Sequence, residues 1–370
     1  MLPMRSFLLT ILAPVALAGA FACQQSGALP EPKSDNQADD PCDPGSSGGQ
    51  TGSTPPVDAG ATPLELPGGS AGIGFDDMTY SAGLAQVLVP AGRTGDVDLV
   101  APSTEAVTSV TGFSTSASYG GDTSFGVTSA IEGNDVIYAT DRTSKTLAAV
   151  DPATRKITET FTLASTPGYV RYVAATQEVW VTEPAAAQIE VVAVHAPDGG
   201  PGLAQVGTIA VDGAESLELD GTSGTAFTNS PKSTIALDVT THKIANTWPN
   251  GCTTARGLAV DPMNGWVIVG CNEGRLVVLS ETSGSMLGAV SLGAGVDRLA
   301  YDASRTRAYV PIPSSPGAMG VIVLSAKGVP TIAGSVEAPD GAHCAVAPGG
   351  GEVFVCAPAK GQLVYLFDPF

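Results

Sequence analysis

Positive charge is scarce in this chain of 370 residues: 17 Lys and Arg stand against 36 Asp and Glu, a net charge of −19. A phosphate backbone or an anionic membrane face is repelled by that balance, which excludes general nucleic-acid binding. Histidine is scarcer still, and three in the whole chain rule out a His-rich metal centre. No long stretch carries the i, i+3, i+4 apolar pattern of an amphipathic helix. Walker A and H-E-x-x-H patterns are missing and no G-x-S-x-G nucleophile elbow is expected, so nucleotide-binding and serine-hydrolase readings have no support. Apolar runs of four to six residues between turn signals dominate instead, and 45 Gly and 28 Pro suit many short strands joined by tight turns.

The N-terminus carries export signals rather than fold. Arg5 supplies a positive n-region, Phe7 to Leu17 an apolar h-region too short for an ordinary membrane span, and Ala20-Phe21-Ala22 the small residues of a cleavage site. Residues 1–22 therefore read as a signal peptide. Ala20-Phe21-Ala22-Cys23 also resembles a bacterial lipobox, although Leu is usual at its first position and Phe at its second is atypical. Plain secretion and lipidation of Cys23 both fit the cut. Residues 23–61, rich in Gly, Ser, Pro, Asp and Gln, favour lipidation, because they bury too little to fold and read as a disordered tether. Such a tether spans roughly 30–35 Å root-mean-square. No other segment approaches membrane-spanning length, so attachment to the membrane would rest on the lipid alone.

Residues 62–370 are built on a repeat. Short apolar runs begin at Val97, Leu147, Ile189, Thr234, Leu276, Val321 and Leu363, spaced by 50, 42, 45, 42, 45 and 42 residues. That period belongs to four-stranded propeller blades. Each unit reads as strands a, b, c and d with Gly or Pro at the junctions; Ala148 to Thr158, with its Asp151-Pro152-Ala153-Thr154 turn, shows the c–d half. A sandwich does not keep so constant a spacing, and a solenoid would need end caps. The last unit lacks a strand d, since the chain ends three residues after Phe367. Pro63 to Asp76 reads as a d strand running into strand a, and so completes the last blade from the other end. The fold class is all-β: a seven-bladed β-propeller closed by an N-terminal strand, with Ser114 to Asp122 as an irregular insertion.

At Val179-Trp180-Val181-Thr182, at Val150 to Thr154, and at Gly251 to Asp261 continuing through Val269-Gly270-Cys271-Asn272, the chain resembles the YVTN-repeat (YncE-like) β-propellers of bacterial envelopes. The resemblance covers roughly residues 62–370 at the level of the repeat. It implies a secreted or surface-attached binding protein; related seven-bladed proteins include lactonases. Of the six cysteines, Cys344 and Cys356 flank one a–b hairpin symmetrically about Gly350. Cys252 and Cys271 flank another, and the resemblance supports their pairing. Disulfides are expected in an exported protein, and no metal is assigned to these four. Cys42 is left odd if Cys23 is lipidated.

Strand a lines a propeller's channel, and aligned strand-a starts place Glu215, Arg256 and Asp297 in one column. The next column holds Tyr169, Ser216, Arg298 and His343. Glu215, Arg256, Asp297, Arg298 and His343 are thus candidates to converge on one channel mouth, as a binding site for a polar ligand, as inter-blade ion pairs, or as general acid and base. His195 and His242 fall in surface loops, and Trp180, Trp248 and Trp266 read as blade packing. The functional expectation is an exported, lipid-anchored binding module at the cell envelope. It would act as a monomer on a small polar ligand or an envelope protein and need no cofactor. The alternative is a lactonase-type hydrolase of the channel mouth, with Glu215, Asp297 and His343 as its acids and bases, Arg256 as oxyanion partner and a divalent cation as a potential aid.

The lipid-anchor expectation has a direct check. Intact-mass analysis of the mature protein should find its N-terminus at Cys23, heavier than the polypeptide by acyl chains. An unmodified Cys23 would contradict it.

Overall fold

A computed structural model of the protein describes residues 55–121, 123–195 and 201–370. The signal peptide, Cys23 and Cys42 lie outside the described residues. Seven four-stranded antiparallel sheets form among those that are described. Blade 2 is typical, with strands a to d at Val127–Gly133, Val136–Asp141, Thr146–Asp151 and Lys156–Thr162. In blades 1 to 6 the strands follow in chain order. In blade 7 the order is Ala345–Gly349, Glu352–Ala357, Gln362–Phe367 and then Thr62–Glu65. Thr62 pairs with Tyr365 and Glu65 with Gln362, so the N-terminal strand supplies the missing strand d as the repeat predicts.

Local chemistry explains the hairpins. Asp151 ends a strand c, and its Oδ1 accepts the backbone N–H of Ala153 at 2.9 Å while Thr154 Oγ1 donates to its Oδ2 at 2.7 Å. The chain then enters strand d through Arg155, whose φ is 54°. Asp220, Asp238 and Asp302 accept the backbone N–H two residues on in the same way. These carboxylates fix the turn by satisfying backbone donors that no sheet partner reaches. The c–d ladders of blades 2, 4, 5 and 6 each carry a register shift one or two residues from that turn. A bulge there increases the twist a blade needs.

The blades adhere through apolar faces. Seven buried clusters are found, one between each neighbouring pair around the ring. Val, Ile and Leu of strands b and c fill them, and Trp180, Tyr309, Phe75, Phe227 and Phe354 are the largest fully buried side chains. The seam between blades 7 and 1 contains Leu66, Phe75, Val87, Val89 and Phe354, together with Cys344 and Cys356. Both expected disulfides are formed, Cys252–Cys271 with 5.3 Å between Cα atoms and Cys344–Cys356 with 5.6 Å. They point to an oxidising, exported environment. No helix of the described residues is long and apolar enough to cross a membrane.

Two details depart from expectation. Contacts with the propeller begin before Thr62: Val57 bridges Val336 of blade 6 in parallel, donating to Ser335 O at 2.8 Å and accepting from Glu337 N at 3.0 Å. The tether assigned to 23–61 therefore includes a residue whose backbone finds an open strand edge. His242, expected in a surface loop, sits in a c–d turn but packs inward. Its Nε2 lies 3.0 Å from Glu178 Oε2 and its ring meets Trp180 edge-on. Trp180 is fully buried, as the packing expectation required.

One buried group stands out. Asp98 of blade 1 is fully buried opposite Val89, on the face that meets blade 7. Ser109 Oγ lies 2.5 Å from its Oδ1, while Oδ2 has no partner. Burial pushes its pKa up to about 7, with Ser109 pulling the other way and Asp96 adding to the rise. Burial favours the neutral acid here, because the unpaired Oδ2 costs less without a charge.

Two outcomes follow for stability. Because the folded state holds the Asp98 proton to higher pH than the unfolded chain, its contribution is complete below the unfolded value and is lost as pH rises toward 7. Asp98→Asn should remove that loss, gaining on the order of 3 kcal/mol over the parent at pH 8 relative to pH 4 in paired urea titrations. Leu66→Ala, which opens the closure seam, should cost about 2–5 kcal/mol in the same assay.

Candidate ligand site in the central channel

The strand-a residues face the axis of the ring, and their charges sort into layers. Toward the d–a loops lies a hollow of about 400 Å³ lined by Tyr119, Asp297, Asp340, His343 and Pro358. Below it a larger cavity of about 490 Å³ runs along the channel, bordered by Asp77, Glu132, Tyr169, Arg171, Glu218 and Arg298 among others. Polar side chains at the starts of the a strands separate the two.

Asp76 is the centre of that separation. It is buried and accepts from Arg142 Nη2 at 2.6 Å, from Arg298 Nε at 3.0 Å and from Arg298 Nη2. Burial alone would raise its pKa, but the guanidinium groups of Arg298 and Arg142 overcome that and hold it below the usual carboxylate range. Arg142 comes from the b–c turn of blade 2 and is oriented by the carbonyls of Pro167 and Thr123, at 2.9 and 2.8 Å. Arg298 lies over the ring of Tyr169, 3.6 Å from its centre, a cation–π contact in a desolvated setting.

A second network sits deeper. Arg171 grips Asp77 through two bonds of 2.6 and 3.1 Å and reaches Glu218 Oε1 at 2.6 Å. Ser129 Oγ donates to Asp77 Oδ2 at 2.5 Å. Burial works to lower the Arg171 pKa, yet Asp77 and Glu218 carry it well above the ordinary value. Glu218 is pushed up by burial and by Asp77, and Arg171 offsets this only in part. Four blades are thereby tied together across the axis by charge-assisted bonds.

Of the five expected mouth residues, the structure brings four to the upper side and one to the layer below. Asp297 and His343 line the upper hollow. Glu215 and Arg256, on adjacent blades, form a part-exposed ion pair of 2.7 Å. Asp297 is raised to about 6 by burial and by the charge of Asp76, opposed by His343 and Arg256. His343 faces two carbonyl oxygens, Nδ1 to Gly341 O at 3.0 Å and Nε2 to Phe75 O at 2.9 Å. Arg298 points instead to Asp76 and the lower cavity.

Column alignment missed Asp76, Asp77, Arg142, Arg171 and Glu218. Extending the same register two residues further along strand a would have placed Arg171 and Glu218 beside each other on blades 3 and 4. Asp76-Asp77 was visible as an acidic pair at the start of blade 1. Arg142 had no such signal, because it belongs to a turn.

Two chemical alternatives can be read from geometry. Gly68-Gly69-Ser70-Ala71-Gly72 has the G-x-S-x-G spelling, and so does Gly45 to Gly49, which lies outside the described residues. Gly69–Ala71 is a single 3-10 turn between blades 7 and 1, not a strand–turn–helix elbow. Ser70 is exposed and hydrogen-bonds to no described residue. The groupings His343–Cys344–Cys356 and Cys252–Cys271–Glu273 bring metal-ligand types together, but each contains a disulfide, which offers no thiolate.

No family model matches this chain, and no curated protein does. Similarity to solved structures is extensive. A chain of the structure titled "Crystal Structure of Mitotic Checkpoint Complex" superposes with a TM-score of 0.68 at 14% identity, over 86% of this chain and 97% of that one. One from "Kuenenia stuttgartiensis Hydrazine Synthase" gives 0.65 at 10% identity, over 83% and 97%. One from "Structure of U3-55K" gives 0.67 at 8% identity, over 84% and 99%. Identities so low carry the fold alone: this chain is a seven-bladed β-propeller, a scaffold that commonly serves as a protein-binding module.

Proposed function

We propose that this chain is an exported, lipid-anchored propeller of the YVTN-repeat type. In this reading it acts as a monomeric binding module of the bacterial cell envelope, with a small polar ligand or an envelope protein as its partner. The observation that carries the reading is the state of the channel mouth. Glu215 is paired with Arg256, both His343 nitrogens face backbone carbonyls, and Arg298 is committed to Asp76. Side chains so engaged hold a shape and a charge pattern; a general base needs a lone pair aimed at substrate. Below them lies a preformed cavity of about 490 Å³, bordered by Arg298, in which a few polar groups converge, as ligand sites do. The two disulfides support export, and the lipid at Cys23 would account for retention at the envelope.

The test is turnover. Purified mature protein, checked for bound metal by elemental analysis, is expected to hydrolyse no member of a panel of lactones and esters above the buffer rate, with or without added divalent cations. Hydrolysis that is present in the parent and lost in the Glu215→Ala/Asp297→Ala double variant would replace this reading with a channel-mouth hydrolase.

A further inference from the structure

The larger cavity is entered from the side of the a–b turns, opposite the mouth at the d–a loops. Rim positions nearest those turns, among them Tyr80, Glu132, Tyr172, Leu219, Val260 and Tyr301, are half-buried, whereas Asp76, Asp77, Arg171 and Arg298 further in are buried. A solute arriving there meets accessible carboxylates and enclosed guanidinium groups. Glu218 keeps 30% of its side chain exposed and Glu132 is half-buried, while the side chains of Arg171 and Arg298 keep 6% and 10%.

The charge of the whole channel has the same sign. The carboxyls of Asp76, Asp77, Glu132, Glu218 and Asp297 outnumber the guanidinium groups of Arg142, Arg171 and Arg298, and adding the ring of His343 leaves the acids in excess. Glu215 and Arg256 cancel as a pair. Glu218 feels this excess locally: burial and Asp77 raise its pKa, and Arg171, which it shares with Asp77, lowers it only in part. A further positive charge beside it is therefore stabilised.

A bare divalent ion is a poor match for that charge. Among the described residues, the only groupings of three metal-ligand atoms within 4.8 Å of one another are at the two disulfides, so the channel carboxylates do not close round one ion. The walls are instead aromatic and aliphatic. Tyr172 stands on the blade between those of Glu132 and Glu218, its ring stacked on Tyr138 at 5.8 Å and pressed against Gly133, where a Cβ would lie 2.1 Å from Cγ. Glu132 is oriented by Ser81 Oγ at 3.2 Å and by the backbone N–H of Asp135 at 3.1 Å. Blades 5, 6 and 7 add Leu258, Val260, Leu299 and Val346.

We propose that this cavity binds a primary amine with an apolar body, its ammonium donating to Glu218 and its body resting on Tyr172 and the aliphatic wall. The assignment rests on the reading of the chain as a binding module and names the ligand class.

Calorimetric titration of the mature protein with hexylamine and 2-phenylethylamine tests it, with the matching alcohols, the matching carboxylates and calcium chloride as controls. At least one amine should bind with a Kd below about 1 mM and at least tenfold more tightly than every control. Glu218→Gln keeps an acceptor for Arg171 and removes the charge, and should weaken that binding tenfold or more. Glu132→Gln, at a half-buried rim position, should weaken it about threefold or more, and decides alone if the first variant does not fold. Absence of amine binding, tightest binding by a control, or affinity unchanged in the folded variants would overturn the proposal. Such a failure leaves the binding-module reading standing, because that reading falls only to hydrolysis at the mouth.

Discussion

The antiparallel pairing of Thr62–Glu65 with Gln362–Tyr365 is the contact on which the rest of the architecture depends. A ring of blades joined only by neighbouring apolar faces has two free ends, and each end would expose a buried face and an unpaired strand edge. Four residues from the beginning of the fold remove both. They pair with the last strand and lead directly, through Leu66, Ile73 and Phe75, into the seam between blades 7 and 1. Cys344–Cys356 lies in the same seam and ties two strands of blade 7 together. Asp98 is buried on the other side of it, so the closure joint is also a site of pH-dependent cost.

Closure matters to the channel because the segment that completes blade 7 runs on into Asp76 and Asp77. These two carboxylates organise both charge networks: Asp76 gathers Arg142 and Arg298, and Asp77 gathers Ser129 and Arg171. Residues from three other blades, 2, 3 and 6, thus converge on one dipeptide whose position is set by ring closure. The lower cavity inherits from this arrangement the guanidinium groups of Arg171 and Arg298, both held near the ring of Tyr169.

The ring was legible in the sequence because its cause is periodic. Apolar runs beginning at Val97 and recurring to Leu363 are all strand c of successive blades, and each must bury the same two faces. The missing last strand was legible as a gap in the period. The site was legible only in part, because charges on strand a do not repeat. Glu215, Arg256, Asp297 and His343 could be placed by alignment. The partner that captured Arg298, however, comes from Asp76, 222 residues away and across the closure. Arg142 reaches the axis from a turn, and no strand register predicts that. Val57 illustrates the same limit at the other edge: nothing in a low-complexity segment announces that one of its residues will bridge blade 6.

The central claim is that the N-terminal strand is an integral part of the cooperative ring rather than an appended flap. Native-state hydrogen exchange of the mature protein, followed at low concentrations of denaturant, measures this directly. Those backbone amides of Thr62–Glu65 that donate to Gln362–Phe367 should open only with the same free energy and denaturant dependence as those of the central strands of blade 4, on the far side of the ring. Exchange of these amides through a separate, low-energy opening that leaves blade 4 protected would contradict the account.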